Sequence, residues 1–150
     1  MSPSILLLSG PNLEQLGTRS PEIYGSATLA EHVSRFRDRA ERAGFSTTDV
    51  QSNFEGDLIE AVRDARGTHD AIVINAGALT HTSWALADAL SNFEGVKIEV
   101  HISNPAAREP FRHVSTLAAV VNGTIAGFGA ESYDLALDAV QLLTKIDPRT

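Results

Sequence analysis

The sequence contains no cysteine, which excludes disulfides, thiolate nucleophiles and thiolate metal ligands. No apolar run approaches the roughly 18 residues of a membrane-spanning helix, and the first residues lack the basic stretch and long apolar run of a signal peptide. Basic residues are scarce, with 12 Lys and Arg against 19 Asp and Glu, and the net charge of −7 argues against a nucleic-acid-binding protein. We therefore expect one cytoplasmic domain over residues 1–150, with neither membrane nor nucleic-acid partners.

Strand-like and helical patterns alternate along the chain. The predicted strands cover residues 5–9, 46–52, 71–75, 97–103 and 119–125. Helices are predicted at about 28–44, 55–66, 82–92 and 131–146, the first beginning with a capping box, Thr28 to Glu31. This alternation predicts an α/β protein with a doubly wound, five-stranded parallel sheet, flavodoxin-like in strand order.

Ligands of such sheets bind outside the carboxyl ends of the strands, so the polar residues after each strand are the candidates for function. The first strand is followed by GPNLEQLGTRSPEIYG, from Gly10 to Gly25. The segment lacks the Gly-Lys-[Ser/Thr] of a phosphate-binding loop, and no G-x-G-x-x-G motif opens a helix, so nucleotide binding is a minor hypothesis. Residues 12–25 are long enough to form a lid over the strand ends, and Arg19 and Tyr24 are its most reactive side chains. Tyr24 is either a packing residue or a base activated by the guanidinium beside it.

Period-two alternation in IEVHIS places Glu99, His101 and Ser103 on one side of the fourth strand. A histidine in an apolar strand is often only a hydrogen-bonded core residue. The carboxylate on the same side could instead fix the imidazole tautomer and favour a proton donor at the strand end. We regard these two interpretations as about equally supported by the pattern.

Two further segments carry polar residues after strands. Ser103-Asn104-Pro105 is typical of a helix start, whose free amides can bind a carboxylate, and Arg108 and Arg112 follow it. This arrangement modestly favours a small anionic substrate over a solvated basic turn. In NAGALTH, Thr80 or Thr82 can cap the next helix, whereas His81 is not needed for capping and is a candidate ligand contact.

The predicted helix over 82–92 has its apolar residues on one face, and Trp84 and Asp88 lie on the opposite face. The single tryptophan of the chain, placed away from the core, indicates a subunit interface that would include Asp88.

Four segments, taken in order, resemble the type II 3-dehydroquinate dehydratases of the shikimate pathway: GPNLEQLGTRSPEIYG, QSNFEG, NAGALTHTS and EVHISNPAAREPFRH. The resemblance covers essentially the whole chain, to the ending IAGFGAESYDLAL. It implies conversion of 3-dehydroquinate to 3-dehydroshikimate and water by stepwise anti elimination through an enolate, without metal or cofactor. The pathway would be aromatic biosynthesis or quinate breakdown. It also implies a homo-oligomer, a dodecamer built as a tetramer of trimers.

The resemblance further implies a role for each matching residue. Tyr24 would be the base at carbon 2, Arg19 would favour its ionised form, and Asn12 with Asn75 would hold a water at the enolate. His101, oriented by Glu99, would protonate the departing hydroxyl. The substrate carboxylate would meet the amides of Ile102 and Ser103, and the ring hydroxyls would meet Asn75, His81 and Arg112, with Asp88 from a neighbouring subunit. Arg108 would anchor the lid or act as a cation beside the substrate.

The chain departs from the family pattern at Glu14 (often asparagine), Ser20 (usually glutamate), Pro105, Ala106 and Val114. Glu14 adds a carboxylate to the lid, where pairing with Arg19 would compete with the role of Arg19 toward Tyr24. Two other hypotheses stay open: a dehydratase of another cyclic β-hydroxy ketone acid, and a non-catalytic flavodoxin-like binding module.

Overall fold

A five-stranded parallel sheet forms the centre of the protein in a computed structural model that describes residues 2–144. The strands are β1 (Ser4–Ser9), β2 (Ser46–Gln51), β3 (Ala71–Asn75), β4 (Val96–His101) and β5 (Gly123–Ala126). Their spatial order is β2-β1-β3-β4-β5, with every neighbouring pair parallel. This confirms the predicted flavodoxin-like sheet, and it places the topological switch point between β1 and β3.

Helices cover both faces of the sheet. They are α1 (Pro21–Tyr24), α2 (Leu29–Arg42), α3 (Glu55–Ala65), α4 (Trp84–Ser91) and α5 (Glu131–Thr144). Short 3-10 helices occupy Leu13–Gln15, Gly77–His81, Pro105–Ala107 and Pro110–His113. Thr28 caps α2 as predicted, because its side chain accepts a hydrogen bond from the amide of Glu31 at 3.1 Å. The predicted end of the last helix, residue 146, lies outside the described residues.

Alternation along β1 divides the core into two layers. Ile5 and Leu7 pack with α2 and α5, whereas Leu6 and Leu8 pack with α3 and α4. Phe36 of α2 is among the side chains that are fully buried. Both faces of β3 are covered, which explains its uninterrupted apolar sequence.

Three predicted boundaries are wrong. The fourth strand ends at His101 rather than at 103, and the other two boundaries differ for local reasons. The fifth strand begins at Gly123 rather than at 119, because Val120 closes a turn onto the carbonyl of Leu117 and its side chain packs into the core from that turn. Helix α4 begins at Trp84 because Ser83, rather than Thr80 or Thr82, is its cap and accepts a hydrogen bond from the amide of Leu86 at 3.0 Å.

Gly10 lies where β1 meets the lid, and it is required there by close backbone contact. Its amide donates to the carbonyl of Asn75 at 2.8 Å, and a Cβ atom at Gly10 would lie 2.4 Å from the carbonyl oxygen of Ala76. Gly10→Ala is therefore expected to lower the free energy of unfolding by about 1–3 kcal/mol, measured by urea denaturation.

Gly56 is the matched control, because a Cβ atom there would meet nothing within 4 Å. Since Gly56 lies in the first turn of α3, Gly56→Ala should leave stability unchanged or raise it by up to about 1 kcal/mol. Equal losses in the two variants would contradict the steric explanation.

Candidate active site

A cleft that is open to solvent lies at the carboxyl ends of β1, β3 and β4. Ten of the twelve candidate residues line the cleft: Asn12, Arg19, Tyr24, Asn75, His81, His101, Ile102, Ser103, Arg108 and Arg112. The strand ends thus bring together residues that are up to 100 positions apart in the sequence.

Glu99 and Asp88 are the two candidates that do not line this cleft. Glu99 is completely buried behind His101. Asp88 is exposed on α4, as is Trp84, whose exposed fraction is 70%. The predicted outward face of this helix is confirmed, and a role for Asp88 in this cleft would have to come from a neighbouring copy.

The lid between Gly10 and Gly25 contains more regular structure than the predicted loop. The 3-10 helix Leu13–Gln15 and helix α1 interrupt it, and each is preceded by a residue in the left-handed region. These residues are Asn12, with φ 69°, and Ser20, with φ 41°. Asparagine tolerates this region well, whereas serine adopts it less readily. The two sharp turns return the chain toward β4, so that Tyr24 at the end of α1 lines the cleft.

Tyr24 is flanked by two guanidinium groups. Arg108 donates a hydrogen bond from Nη1 to the Tyr24 hydroxyl at 2.8 Å, and its Cζ lies 5.2 Å from the centre of the ring. The Cζ atom of Arg19 lies 5.4 Å from the same centre. Arg108 also donates to Ser103 Oγ at 3.3 Å, so it ties the lid to the segment after β4. Two positively charged groups thus lie beside the Tyr24 ring, and one of them, Arg108, contacts its hydroxyl.

The sequence pattern did not indicate that Arg108 would be the direct hydrogen-bond partner of Tyr24. The role of favouring the phenolate was expected of Arg19 alone, which is five residues from Tyr24 in the lid. In this structure both arginines flank the ring, and only Arg108 contacts the oxygen. No local sequence signal connects positions that are 84 residues apart.

Glu14, in the lid, contacts residues at the end of β2 rather than Arg19. Its carboxylate accepts hydrogen bonds from Gln51 Nε2 at 3.2 Å and from Asn53 Nδ2 at 3.0 Å. Asn53 Oδ1 in turn accepts from the amide of Asn12 at 2.9 Å. No ion pair joins Glu14 to Arg19 among the described residues, so the expected competition for Arg19 is absent in this structure.

His101 and Glu99 form the predicted pair. Nε2 of His101 lies 2.6 Å from Oε2 of Glu99. Burial would raise the pKa of Glu99, but hydrogen bonds from His101, Thr80 and Ser115, together with the charge of His101, outweigh burial and leave the pKa below its ordinary value. Because an ionised carboxylate only accepts, His101 donates from Nε2, and Nδ1 is the nitrogen available to the cleft.

The remaining polar residues of the cleft are oriented by their neighbours. Nδ1 of His81 donates to the carbonyl of Val114 at 2.7 Å, which leaves Nε2 for a ligand. The side-chain oxygen of Asn75 accepts from the amide of Gly77 at 3.2 Å, and its nitrogen donates to the Tyr133 hydroxyl at 3.3 Å. Burial raises the pKa of Tyr133 to about 12, the hydrogen bond from Asn75 opposing this only in part, so the hydroxyl stays neutral.

After β4, Asn104 Oδ1 accepts a hydrogen bond from the amide of Ala106 at 3.2 Å and caps the 3-10 helix Pro105–Ala107. The predicted helix start is therefore present, although it continues as two 3-10 helices. Arg112, in the second of these, is held by a hydrogen bond and ion pair with Glu109.

Residues 2–144 contain no cluster of three or more His, Asp or Glu side chains arranged to hold a metal ion. Within the same residues, no helix has both the length and the apolar character needed to span a bilayer. A phenol flanked by two guanidinium groups and a histidine paired with a carboxylate, in one cleft, define a site suited to acid–base chemistry on a small anion.

Comparison with known proteins agrees with this class of site. The family model described as dehydroquinase class II matches residues 3–141. A 3-dehydroquinate dehydratase 1 of Corynebacterium efficiens is 54% identical over 138 residues, covering 92% of this chain and 91% of that protein. A 3-dehydroquinate dehydratase of Ruegeria pomeroyi is 54% identical over 137 residues, covering 91% and 92%.

Solved structures give the same result. The type II dehydroquinase from Butyrivibrio crossotus superposes with a TM-score of 0.91 at 40% sequence identity, covering 93% of this chain and 98% of that chain. The chain belongs to the class II dehydroquinase family.

Proposed function

We propose that the protein removes water from 3-dehydroquinate to give 3-dehydroshikimate. The observation that carries the proposal is the presence of two matched pairs at one cleft: Tyr24 with Arg108, and His101 with Glu99. An elimination needs one group that takes a proton and another that gives one, and these pairs supply both. The names of the relatives specify the substrate.

Tyr24 acts as the base in the proposed first step. Its phenolate accepts the proton from carbon 2 of the substrate, the C–H bond breaks, and the electron pair moves toward the ketone oxygen to give an enolate. Arg19 and Arg108 offset the charge on Tyr24 before this transfer. A water held near Asn12 and Asn75 stabilises the enolate oxygen by hydrogen bonding.

His101 acts as the acid in the proposed second step. The ketone re-forms as the enolate electrons form the new carbon–carbon double bond and the bond to the carbon-1 hydroxyl breaks. His101, protonated on both nitrogens at this stage, gives that oxygen the proton on Nδ1 so that it leaves as water, and the histidine keeps its Nε2 proton. Glu99 stays ionised and accepts from Nε2 throughout. The proton taken by Tyr24 returns to the histidine through solvent, and no oxidant or cofactor is consumed.

The same cleft provides contacts for the rest of the substrate. We assign the carboxylate to the backbone amides of Ile102 and Ser103, and the ring hydroxyls to Asn75, His81 and Arg112. In the homo-oligomer that we propose, a dodecamer made of four trimers, Asp88 of the partner subunit completes the site. Support for such an interface comes from the exposed Trp84, which shares the outward face of α4 with Asp88. We also propose that the enzyme works in the cytoplasm, where a chain without cysteine needs no oxidising compartment.

The test is the ultraviolet absorbance of the conjugated enoate product. Purified protein should produce it from 3-dehydroquinate. The proposal would be overturned if the absorbance did not change at any enzyme concentration.

Borohydride added with substrate should not inactivate the protein, because the proposed route forms no imine. Lys97 and Lys145 are the lysines of the sequence, and Lys97 is outside the cleft, where its Nζ donates to the carbonyls of Leu90 and Phe93 at the end of α4.

A further inference from the structure

The carboxylate of Glu99 is held by more than His101. Thr80 donates a hydrogen bond to Oε2 at 2.7 Å, and Ser115 donates to Oε1 at 2.8 Å. Thr124 of β5 adds a longer contact to Oε1 at 3.4 Å. Among residues 2–144, His101 is the one ionisable side chain in hydrogen-bond or ion-pair contact with Glu99; the three other partners are hydroxyl groups.

Ser115 differs from the other hydroxyl groups because both of its lone pairs already accept hydrogen bonds. Its Oγ accepts from the amides of Leu117 at 3.1 Å and Ala118 at 3.0 Å. A hydroxyl has two lone pairs and one proton, so these two amides leave the proton as the only group it can offer to Glu99. Ser115 can therefore donate to an ionised Glu99, whereas it has no remaining lone pair to accept a proton from a neutral one.

The segment around Ser115 reaches the cleft at other points as well. The carbonyl of Val114 accepts from His81, and Thr116 donates from its amide to the carbonyl of Thr80 at 2.7 Å. Arg112, which lines the cleft, is three residues before Ser115. The segment thus holds the position of Glu99 relative to the side chains that face the ligand.

We propose that Ser115 is a positioning residue for the proton donor: it fixes Glu99 as an ionised acceptor and thereby fixes His101 with Nε2 protonated and Nδ1 toward the cleft. This proposal rests on the proposed function, in which His101 protonates the departing hydroxyl. Thr80 supports the same arrangement at Oε2, which also lies 3.0 Å from the Ser115 hydroxyl. Neither hydroxyl needs to touch the substrate.

The proposal has a consequence for pH dependence. Glu99 has a pKa below its ordinary value, so its ionised form is present above that pKa and is lost as the pH falls through it. Ser115→Ala removes a donor to the ionised form, which raises the pKa of Glu99 toward its ordinary value. Protonation of Glu99 then begins at a higher pH in the variant than in the wild type.

The experiment compares kcat and KM of wild type, Ser115→Ala and Ser115→Thr between about pH 4 and 8, a range that extends below the ordinary pKa of a glutamate. We expect Ser115→Ala to lower kcat about fivefold near pH 7 with KM unchanged. The ratio of the kcat of Ser115→Ala to that of wild type should fall further as the pH is lowered. Groups that titrate in the same way in both proteins do not affect this ratio. Ser115→Thr, which keeps the hydroxyl, should restore most of the activity and the pH profile.

Ser83→Ala is the matched control, because it also removes a serine hydroxyl that accepts a backbone amide, but one without contact to Glu99. A ratio of Ser115→Ala kcat to wild-type kcat that is constant across pH would overturn the proposal, as would a loss of kcat reproduced by Ser83→Ala.

The ¹⁵N chemical shifts of His101 test this proposal separately from the proposed function, because measuring them needs no turnover. At a pH where His101 is neutral, wild type should show the Nε2-protonated tautomer and Ser115→Ala should show a mixture of the two tautomers. Identical shifts in the two proteins would overturn the positioning role even if the protein proved inactive on 3-dehydroquinate.

Discussion

Replacing Tyr24 with phenylalanine is expected to lower kcat for dehydration of 3-dehydroquinate by about 10²–10⁴-fold, the range that general-base groups contribute. The substitution removes one oxygen atom and keeps the ring against Arg19 and Arg108, so binding should change much less than turnover. The measurement is kcat and KM from the enoate absorbance.

The control for Tyr24→Phe is Tyr133→Phe. Tyr133 is the other tyrosine of the chain and is buried, with a pKa raised to about 12 by that burial, so it cannot act as a base near neutral pH. Its hydroxyl accepts a hydrogen bond from Asn75 behind the cleft, and loss of that hydroxyl should alter kcat far less. Full activity in Tyr24→Phe, or an equal loss in both variants, would contradict the assignment of the base.

His101→Gln should also lower kcat by about 10²–10⁴-fold, because the proposed acid is removed. Glutamine is chosen because its amide can still donate to the buried Glu99, whereas alanine would leave a buried carboxylate without its main partner. The free energy of unfolding, measured by urea denaturation, shows whether the variant retains its fold.

Glu99→Gln distinguishes the role of the carboxylate from the role of the histidine. It keeps a side chain of the same shape beside His101 but removes the charge, so its loss of kcat should be smaller than that of His101→Gln. A fully active His101→Gln protein, or a Glu99→Gln protein less active than His101→Gln, would contradict the division of roles between the two residues.

The strand order and the cleft could be predicted because both follow from local patterns. The central strands β1 and β3 are short apolar runs, and polar residues such as Asn75 and Ser103 mark the ends of β3 and β4. The carboxyl ends of parallel strands lie at one edge of the sheet, so the polar residues that follow the strands are expected to lie in one site. The pairing of Glu99 with His101 follows from period-two alternation alone, and its observed distance of 2.6 Å confirms it.

Contacts between distant segments could not be predicted in this way. The bond from Arg108 to Tyr24, the bonds from Thr80 and Ser115 to Glu99, and the bond from Glu14 to Asn53 depend on how loops fold over the sheet. Thr80 illustrates the difficulty, because a threonine before a helix is a plausible cap and its sequence carries no sign that its hydroxyl faces a carboxylate.

The observed contacts also bear on the two other hypotheses from the sequence. A binding module without catalysis has no need of a guanidinium on a phenol oxygen and a buried carboxylate on a histidine in one cleft, and membership of the dehydroquinase family disfavours it. A different cyclic β-hydroxy ketone acid was suggested by an altered lid. Glu14, however, contacts Gln51 and Asn53 and leaves Arg19 beside Tyr24.

The most direct test of the separate roles of Tyr24 and His101 is exchange of the carbon-2 hydrogen of 3-dehydroquinate in D₂O, followed by NMR against a protein-free control. If Tyr24 forms an enolate that His101 then discharges, His101→Gln should exchange this hydrogen without releasing product. Tyr24→Phe should show no exchange above the control. Exchange in Tyr24→Phe as fast as in His101→Gln, or exchange in Tyr24→Phe alone, would contradict a stepwise elimination that begins at Tyr24.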